Sequence, residues 1–433
     1  MLNRKQIADG VYFSKITDSR FKQNLISVNF LTQLSDETVS LNAVIPGVLT
    51  NSCRAYPDLS KLNAKLAELY GAGLSGATTA MGDTQCVEIA IKTLDTRYAL
   101  EGEDITSEGV QILLECLFTP LTENHGQDSA FNGAVVENEK QSCTDDIEAE
   151  LNDKRLYSLR QASRLLLESE PAAVSPAGTL EGVAAVTAKS LYGAYCRLLE
   201  TARVEILCVG CNDFNTAEKL ISDAFAAVSR GSVQDCFSSA SPLKSQLLEH
   251  TETLDVNQSK MVLGFKCVSD DGEFCGDYDA ISFMTKIYGG TPTSKLFENV
   301  REKLSLCYYC WAKYNRAKNV VFAECGVESD NIGKTRDEIC AQLTAMQEGS
   351  FGELEINHAM LSIENDFKAV GDSLSGLKTW YLTHIYLCDV ITPAEAIERY
   401  SKVAADKARI VAAAKSVVLD TVYVLDVTAE VDK

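Results

Sequence analysis

The chain has 433 residues, of which 46% are hydrophobic and 23% charged, a composition that predicts a globular protein with more than one domain. Its 40 basic and 61 acidic residues give a net charge of −21, which argues against binding to nucleic acid or to an anionic membrane, because both are negatively charged. This charge suits a soluble protein, or one that attracts basic peptides.

Strand and helix signals alternate along the first half of the chain. Alternating apolar residues predict strands, and apolar residues at a spacing of three and four predict helices. The predicted strands cover residues 25–31, 85–94 and 203–209, and the predicted helices cover 37–48 (interrupted by Pro46), 59–70, 110–118, 134–167, 186–199 and 216–227.

The second half repeats this order of elements. Strands predicted at 259–266, 319–327 and 421–427 correspond to the three strands of the first half, and Ser294-Lys295-Leu296 opens a helix as Ser60-Lys61-Leu62 does. Residues 229–247 have little apolar periodicity, which is typical of a linker. We therefore predict an α+β fold with two similar domains, each a mainly antiparallel sheet with helices covering one face. The predicted boundaries are 1–228 for the N-terminal domain, 229–250 for the linker and 251–433 for the C-terminal domain.

The most informative segment covers residues 287–309. Gly289 and Gly290 predict a flexible turn before a helix. Arg301 lies beside the apolar face of that helix, and a strand that begins at residue 306 contains Tyr308. The apolar face is formed by four side chains at helical spacing: Leu296, Phe297, Val300 and Leu304.

This segment resembles the C-terminal signature of the pitrilysin/insulinase family of metallopeptidases, a glycine turn followed by S-x-L-F-x-x-V/L-R-E-K-x-x-L-x-Y. In that family the arginine, and the tyrosine seven residues later, hold the substrate backbone and the reacting carbonyl. The resemblance implies that Arg301, Tyr308, Gly289 and Gly290 bind a peptide substrate, and guanidinium and phenol groups both donate hydrogen bonds to carbonyl oxygens. Taken in isolation, Arg301 and Tyr308 would instead be a surface arginine and a buried strand tyrosine.

A second stretch supports the resemblance. Residues 176–181 (P-A-G-T-L-E) and 191–195 (L-Y-G-A-Y) resemble the family's G-T-x-E-x-I and L-x-x-F-Y segments, and the strand ending at Gly210 resembles its V-x-G-D strand end. The resemblance therefore covers nearly all of the chain and implies the pitrilysin/insulinase-like fold.

The zinc motif of the active family members has no counterpart. Those members carry H-x-x-E-H on an early helix, where two histidines bind zinc, the glutamate activates water and a later glutamate completes the site. Residues 46–50 (P-G-V-L-T) occupy that place here, and Asp146, near the position of the third protein ligand, is interpreted as part of a solvated helix face. The four histidines are too dispersed to replace the motif: His125, His250, His358 and His384. The resemblance thus implies no metal in this chain and no catalysis by the chain alone.

Cysteine usage gives one weaker metal alternative. Cys208/Cys211 and Cys307/Cys310 have zinc-like spacing, but Cys208 and Cys307 fall in strand-like runs, where they pack as small apolar residues. The 15 cysteines are an odd number and mostly single, which indicates reduced thiols. Together with a first segment without an apolar signal core and no window of ~20 apolar residues, this predicts a cytoplasmic protein.

Half-size members of this family often work in pairs, which implies a partner. The chain is similar to the members that lost their zinc ligands but kept the arginine and tyrosine, and is most similar to bacterial paralogues associated with elongation factor P modification. The implied partner is a zinc-bearing sister with H-x-x-E-H, at whose zinc Arg301 and Tyr308 would help hold a peptide. The alternative is a purely structural homodimer or scaffold subunit, in which both residues would be unused.

Overall fold

The computed structural model describes residues 2–124, 126–234, 238, 242–268 and 276–428. Strands and helices follow the periodicities of the sequence over most of these ranges. The strands are β1 (Asn3–Ala8), β2 (Val11–Thr17), β3 (Gln23–Gln33), β4 (Gly73–Met81), β5 (Thr84–Leu94), β6 (Thr122–Glu123), β7 (Ala130–Phe131), β8 (Arg203–Gly210), β9 (Leu248–Leu254), β10 (Ser259–Cys267), β11 (Cys307–Asn315), β12 (Val320–Val327) and β13 (Val417–Val427).

The helices cover the sheets formed by these strands. The α-helices are α1 (Val39–Asn51), α2 (Leu59–Glu68), α3 (Ile105–Phe118), α4 (Gly133–Asn152), α5 (Lys154–Leu166), α6 (Leu180–Ala184), α7 (Ala188–Thr201), α8 (Asn215–Ala226), α9 (Tyr278–Gly289), α10 (Ile332–Gln347), α11 (Glu353–Val370), α12 (Leu374–Tyr386), α13 (Pro393–Ala404) and α14 (Lys407–Lys415). A π-helix covers Leu296–Lys303. No helix among the described residues is both long and apolar enough to cross a membrane.

The first sheet has the strand order β1-β2-β8-β3-β5-β4. Its neighbouring strands are antiparallel except for the parallel pair β2 and β8. In β3, Ile26, Val28 and Phe30 face the core formed with α1, α3 and α7. Leu25 and Leu31 face the opposite side, where they pack with residues of α12. This alternation confirms the predicted strand and shows why both of its faces are apolar.

The second sheet has the order β11-β12-β10-β13-β9, antiparallel except for the parallel pair β13 and β9. Its sequence of strands matches β4-β5-β3-β8-β2 of the first sheet, including the position of the parallel pair. The predicted repeat and the predicted fold class are therefore confirmed. In each sheet, one further helix covers the second face: α12 in the first and α5 in the second.

The described contacts divide the chain into two units whose boundaries differ from the single predicted linker. One unit contains residues 1–148, 174–237 and 370–390, and the other contains 149–173, 238–369 and 391–433. Residues 149–173 carry α5 and residues 370–390 carry α12. The apolar face of each of these helices packs on the sheet formed by the other half of the sequence. The predicted linker 229–250 includes the first residues of β9, and its residues 235–237 and 239–241 lie outside the described residues.

Two predicted helices have different ends in the structure. α1 continues through Pro46 to Asn51, because its buried face includes Val44, Ile45, Val48 and Leu49 on both sides of the proline. The predicted helix 134–167 is divided at Asp153, whose side chain accepts hydrogen bonds from the backbone N–H groups of Arg155 and Leu156 and so begins α5.

Candidate functional site

Arg301 lies on the π-helix, near the start of the edge strand β11. Leu296 and Val300 are fully buried and hold this helix against the core of its unit. The residues that follow these two, Phe297 and Arg301, lie on a more exposed side of the helix. The Arg301 guanidinium carbon lies 4.6 Å from the centre of the Phe297 ring. The Arg301 side chain is 39% exposed, and its Nη1 lies 3.3 Å from Oε1 of Glu302. The guanidinium is therefore oriented by a ring and a carboxylate while it keeps donors free to face solvent.

Two local details of this helix differ from the prediction. The predicted α-helix is a π-helix, which the hydrogen bond from Leu304 N–H to the Asn299 carbonyl (3.2 Å) reflects. Leu304, assigned to the apolar face, is 46% exposed. The wider π turn explains this, because it rotates residues at the end of the helix away from the face that a 3.6-residue period predicts.

Tyr308 lies at a β-bulge near the beginning of β11. The register between β11 and β12 shifts between Cys307 and Tyr309, which leaves Tyr308 without a partner on β12. The side chain is 62% exposed, and its hydroxyl donates a hydrogen bond to Oε1 of Glu328 at 2.8 Å. This bond to the carboxylate raises the pKa of Tyr308. The reading of Tyr308 as a buried strand tyrosine is wrong, because the bulge turns the ring out of the sheet.

The chain brings Arg301 and Tyr308 to the same end of β11. Leu306 N–H donates to the Val300 carbonyl at 3.0 Å, and Ser305 has a left-handed backbone (φ 51°), so the connection between the π-helix and β11 is a tight turn. Cys307, between the two candidates, has its pKa lowered by a hydrogen bond from Cys310 and, to a smaller extent, by the charge of Arg301.

Gly289 and Gly290 end a helix and do not form a flexible turn. Gly289 is the last residue of α9 and is buried, and a Cβ added there would lie 2.6 Å from both the backbone nitrogen and the Cβ of Ala312. Gly290 follows as the C-cap, with its N–H donating to the Lys286 carbonyl. Close packing of α9 against β11 thus requires glycine at position 289.

The segment that the resemblance aligns with the zinc motif lies on α1 and packs against α4. Residues 46–50 all lie in α1. A Cβ added to Gly47 would overlap Oε2 of Glu139, and Asn51, one turn after Gly47, lies 3.5 Å from Oε1 of Glu139 through its side-chain nitrogen. Glu139 of α4 therefore fills the space beside Gly47, and burial raises the pKa of its carboxyl group. Asp146, further along α4, is exposed, as expected of a solvated helix face.

The donors on this face do not fit a zinc ion. Gly47 has no side-chain ligand, the Thr50 hydroxyl donates to the Pro46 carbonyl at 2.9 Å, and Asn51 and Glu139 supply one amide and one carboxylate. Structural and catalytic zinc sites need three or four histidine, cysteine or carboxylate ligands. Within the described ranges, no group of three such side chains could hold a metal ion.

The histidines and the two cysteine pairs lie elsewhere. His250 is on β9, His358 on α11 and His384 on α12, whereas His125 lies outside the described residues. Cys208 is buried in the core of the first sheet, and Cys307 and Cys310 are buried in the core of the second, as predicted for small apolar residues. The Cys211 sulfur contacts Nη2 of Arg97 at 3.0 Å.

Three residues of these sites were not predicted from the sequence: Asn51, Glu139 and Glu328. Asn51 lies four residues after Gly47, so its place on the same side of the helix could have been predicted from helical spacing. Glu328 and Glu139 gave no comparable signal, because each meets its partner only through tertiary packing.

The sequence and the fold have counterparts in known proteins. Residues 185–362 match the family model described as the Peptidase M16 inactive domain. The chain is 27% identical, over 416 residues, to the probable inactive metalloprotease YmfF of Bacillus subtilis, which covers 95% of this chain and 94% of that protein. These matches agree with the missing zinc ligands on α1.

Solved structures share the whole architecture. A conserved protein from Enterococcus faecalis superposes with a TM-score of 0.89 at 25% identity, covering 100% of both chains. A peptidase M16 inactive domain from Pseudomonas fluorescens gives a TM-score of 0.78 at 14% identity, covering 99% of this chain and 98% of that one. The chain is therefore similar to the M16 metallopeptidase family, the pitrilysin/insulinase type, and in particular to inactive members of it.

Proposed function

We propose that this chain is the non-catalytic subunit of a two-subunit zinc peptidase. It pairs with a sister subunit that carries H-x-x-E-H, and its Arg301 and Tyr308 bind the backbone of a peptide held at the sister's zinc. The observation that carries this proposal is an asymmetry between two sites of the chain. The zinc face is filled by Glu139, whereas the guanidinium of Arg301 and the hydroxyl of Tyr308 lie at one end of β11, in side chains that are 39% and 62% exposed.

The chemistry of the two side chains suits a peptide carbonyl. Arg301 offers several N–H donors in a fixed plane, and its contact with Phe297 limits the orientations of that plane. Tyr308 offers one O–H donor, which Glu328 accepts in the free chain and which a substrate carbonyl would compete for. Donors aimed at an oxygen that gains negative charge stabilise the transition state more than the bound substrate.

Because of its packing, Gly289 has a structural role in this proposal and does not contact the substrate. It supports the site by allowing α9 to lie directly against Ala312 of β11. Gly290, which is half-buried, is the glycine that a substrate strand would approach.

A cytoplasmic location is part of the proposal. Its support is cysteine chemistry, since each cysteine in the described part of the chain is a free thiol. Free thiols in this number are typical of a reducing compartment.

The test is the peptidase activity of the reconstituted pair with Arg301→Ala and Tyr308→Phe. We expect each change to lower kcat/KM by about 10–100-fold without unfolding the chain, because each removes one donor to the reacting carbonyl. The matched controls are Arg336→Ala, at an arginine of the same unit that is 38% exposed, and Tyr278→Phe, at a tyrosine that is 37% exposed.

The controls should keep the activity of the unaltered pair. Unchanged kcat/KM in both test variants would contradict the substrate-binding role and favour the scaffold alternative. A loss of activity that appears equally in the controls would point to general damage to the fold.

A further inference from the structure

The carboxylate that accepts the Tyr308 hydroxyl belongs to Glu328, an exposed residue directly after β12. The two oxygens lie 2.8 Å apart, and the Tyr308 side chain is 62% exposed. Among the described residues, the Glu328 carboxylate forms no ion pair with a lysine or arginine, so Tyr308 is the partner that holds it there.

Glu328 is the fixed member of this pair. Its carbonyl accepts a hydrogen bond from the N–H of Asn331 at 2.9 Å, in a short 3₁₀ turn. The hydroxyl of Ser329 donates to Oδ2 of Asp426 on β13 at 3.1 Å, and Oδ1 of Asp426 accepts from the hydroxyl of Ser259 on β10 at 2.6 Å. These bonds tie the end of β12 to its two neighbouring strand ends.

Tyr308 is the member that can move. It lies on the edge strand β11, and the bulge leaves it without a register partner on β12. Most of its ring faces solvent, so packing restrains the ring little. The hydrogen bond to Glu328 therefore determines where the ring lies and in which direction its O–H points.

This hydrogen bond has only one possible direction. An ionised carboxylate can accept but not donate, so the phenol supplies the hydrogen, and its single O–H cannot serve a second acceptor at the same time. Hydrogen bonds to a charged acceptor are roughly twice as strong as those to a neutral one. A neutral peptide carbonyl therefore competes poorly with Glu328, whereas an oxygen that gains negative charge competes well.

We propose that Glu328 is a positioning residue of the peptide site: it withholds the Tyr308 hydroxyl from the bound peptide and releases it to the carbonyl oxygen as that oxygen gains charge. This role rests on the proposed function, because it concerns how the same Tyr308 acts in the pair. Arg301, whose guanidinium is 39% exposed, binds the neutral carbonyl, and Tyr308 joins it in the transition state.

Removal of the carboxylate should make the hydroxyl available to the neutral carbonyl. In the reconstituted pair, with an internally quenched peptide that the unaltered pair cleaves, Glu328→Ala should lower KM by about 3–10-fold without lowering kcat/KM, the effect of one hydrogen bond. Glu328→Gln should lower KM less, because its amide oxygen is a neutral acceptor. The matched control is Asp330→Asn, at an exposed carboxylate of the same turn, which should leave KM unchanged.

The same change in a Tyr308→Phe chain separates an action through Tyr308 from a general effect of charge. In that background Glu328→Ala should change KM by less than about 2-fold, because no hydroxyl remains to be released. With Glu328 present, Tyr308→Phe should lower kcat and leave KM nearly constant. In the Glu328→Ala chain, Tyr308→Phe should also raise KM.

The contact itself can be measured in the unpaired chain. Glu328 raises the pKa of Tyr308 through its hydrogen bond and its charge. The ultraviolet titration of the phenols in the unaltered chain, minus that of Tyr308→Phe, isolates Tyr308. In the Glu328→Gln background this difference titration should move to lower pH, and in the Asp330→Asn background it should stay in place.

The outcomes separate this role from the proposed function. An unmoved titration in Glu328→Gln would overturn the role of Glu328, because the contact would be absent. An unchanged or raised KM in Glu328→Ala, with kcat/KM still lowered by Tyr308→Phe, would overturn it and leave the proposed function intact, as would an equal fall in KM in the Tyr308→Phe background. Unchanged kcat/KM in both Arg301→Ala and Tyr308→Phe would contradict the proposed function and this role with it.

Discussion

Replacing Gly289 with alanine tests whether this glycine is needed for packing rather than for substrate binding. The added Cβ would lie 2.6 Å from the backbone nitrogen and the Cβ of Ala312 and 2.8 Å from Cδ1 of Leu296. Carbon atoms in contact prefer about 3.5–4.0 Å, so the end of α9 must move away from β11 by about 1 Å. Such overpacking costs about 1–3 kcal/mol, and alanine recovers at most about 1 kcal/mol as a better helix former.

We therefore expect Gly289→Ala to lower the free energy of unfolding by about 2 kcal/mol, and the Tm by about 4–8 °C for a domain of 150–250 residues. Denaturant and thermal unfolding followed by circular dichroism measure both quantities. The matched control is Gly193→Ala in the interior of α7, where the added Cβ meets only Nη1 of Arg197 at 3.8 Å. That change should stabilise the chain by about 0.5–1 kcal/mol. Full stability of Gly289→Ala would refute the packing argument.

Three further outcomes are expected. The purified chain should contain no stoichiometric zinc by elemental analysis, because the α1 face lacks the ligands, and one tightly bound zinc per chain would contradict this. Thr392→Ala should lower the free energy of unfolding by about 1 kcal/mol, because it breaks the capping box with Glu395, whereas Thr392→Ser should have little effect in the same denaturant titration. Burial raises the pKa of Asp95, but hydrogen bonds from Cys211, Asn24 and Arg97 outweigh it and lower that pKa from 3.8 to about 2. The resulting stabilisation should be present above about pH 4 and lost as the pH falls towards 2, and unfolding curves of Asp95→Asn should lack this part of the pH dependence.

The sequence predicted the parts of the fold that have strong local periodicity. β3, β5, β8, β10 and β12 alternate apolar residues or are continuously apolar, and all five are central strands of their sheets. The order of elements in the two halves was enough to predict the repeat. Arg301 and Tyr308 were predicted as substrate-binding residues because they belong to a long motif with fixed spacing.

Other elements left no such signal. β4 (Gly73–Met81) consists largely of glycine, alanine, serine and threonine, because one side of this edge strand faces solvent and few of its side chains are buried. β1 is an edge strand with polar side chains for the same reason. The apolar faces of α5 and α12 predicted helices correctly, but local periodicity does not specify which sheet a helix covers.

The details of the sites depend on contacts between distant residues. Glu139 meets Gly47 across 92 residues of sequence, and the partner of Tyr308 follows a different strand. The bulge at Tyr308 arises from the register between β11 and β12, which the spacing of Cys307 and Cys310 alone does not reveal. The motif therefore points to the candidate residues, and packing determines which of them are exposed.

We propose above all that this chain pairs with a zinc-bearing sister. The most direct measurement is mild affinity purification of the tagged chain from its native cell, followed by mass spectrometry of the co-purifying chains and zinc analysis of the complex. We expect a similar-sized partner with H-x-x-E-H and one zinc per pair, bound by that partner. Recovery of the chain alone, or only with copies of itself, would contradict the claim and favour a non-catalytic homodimer.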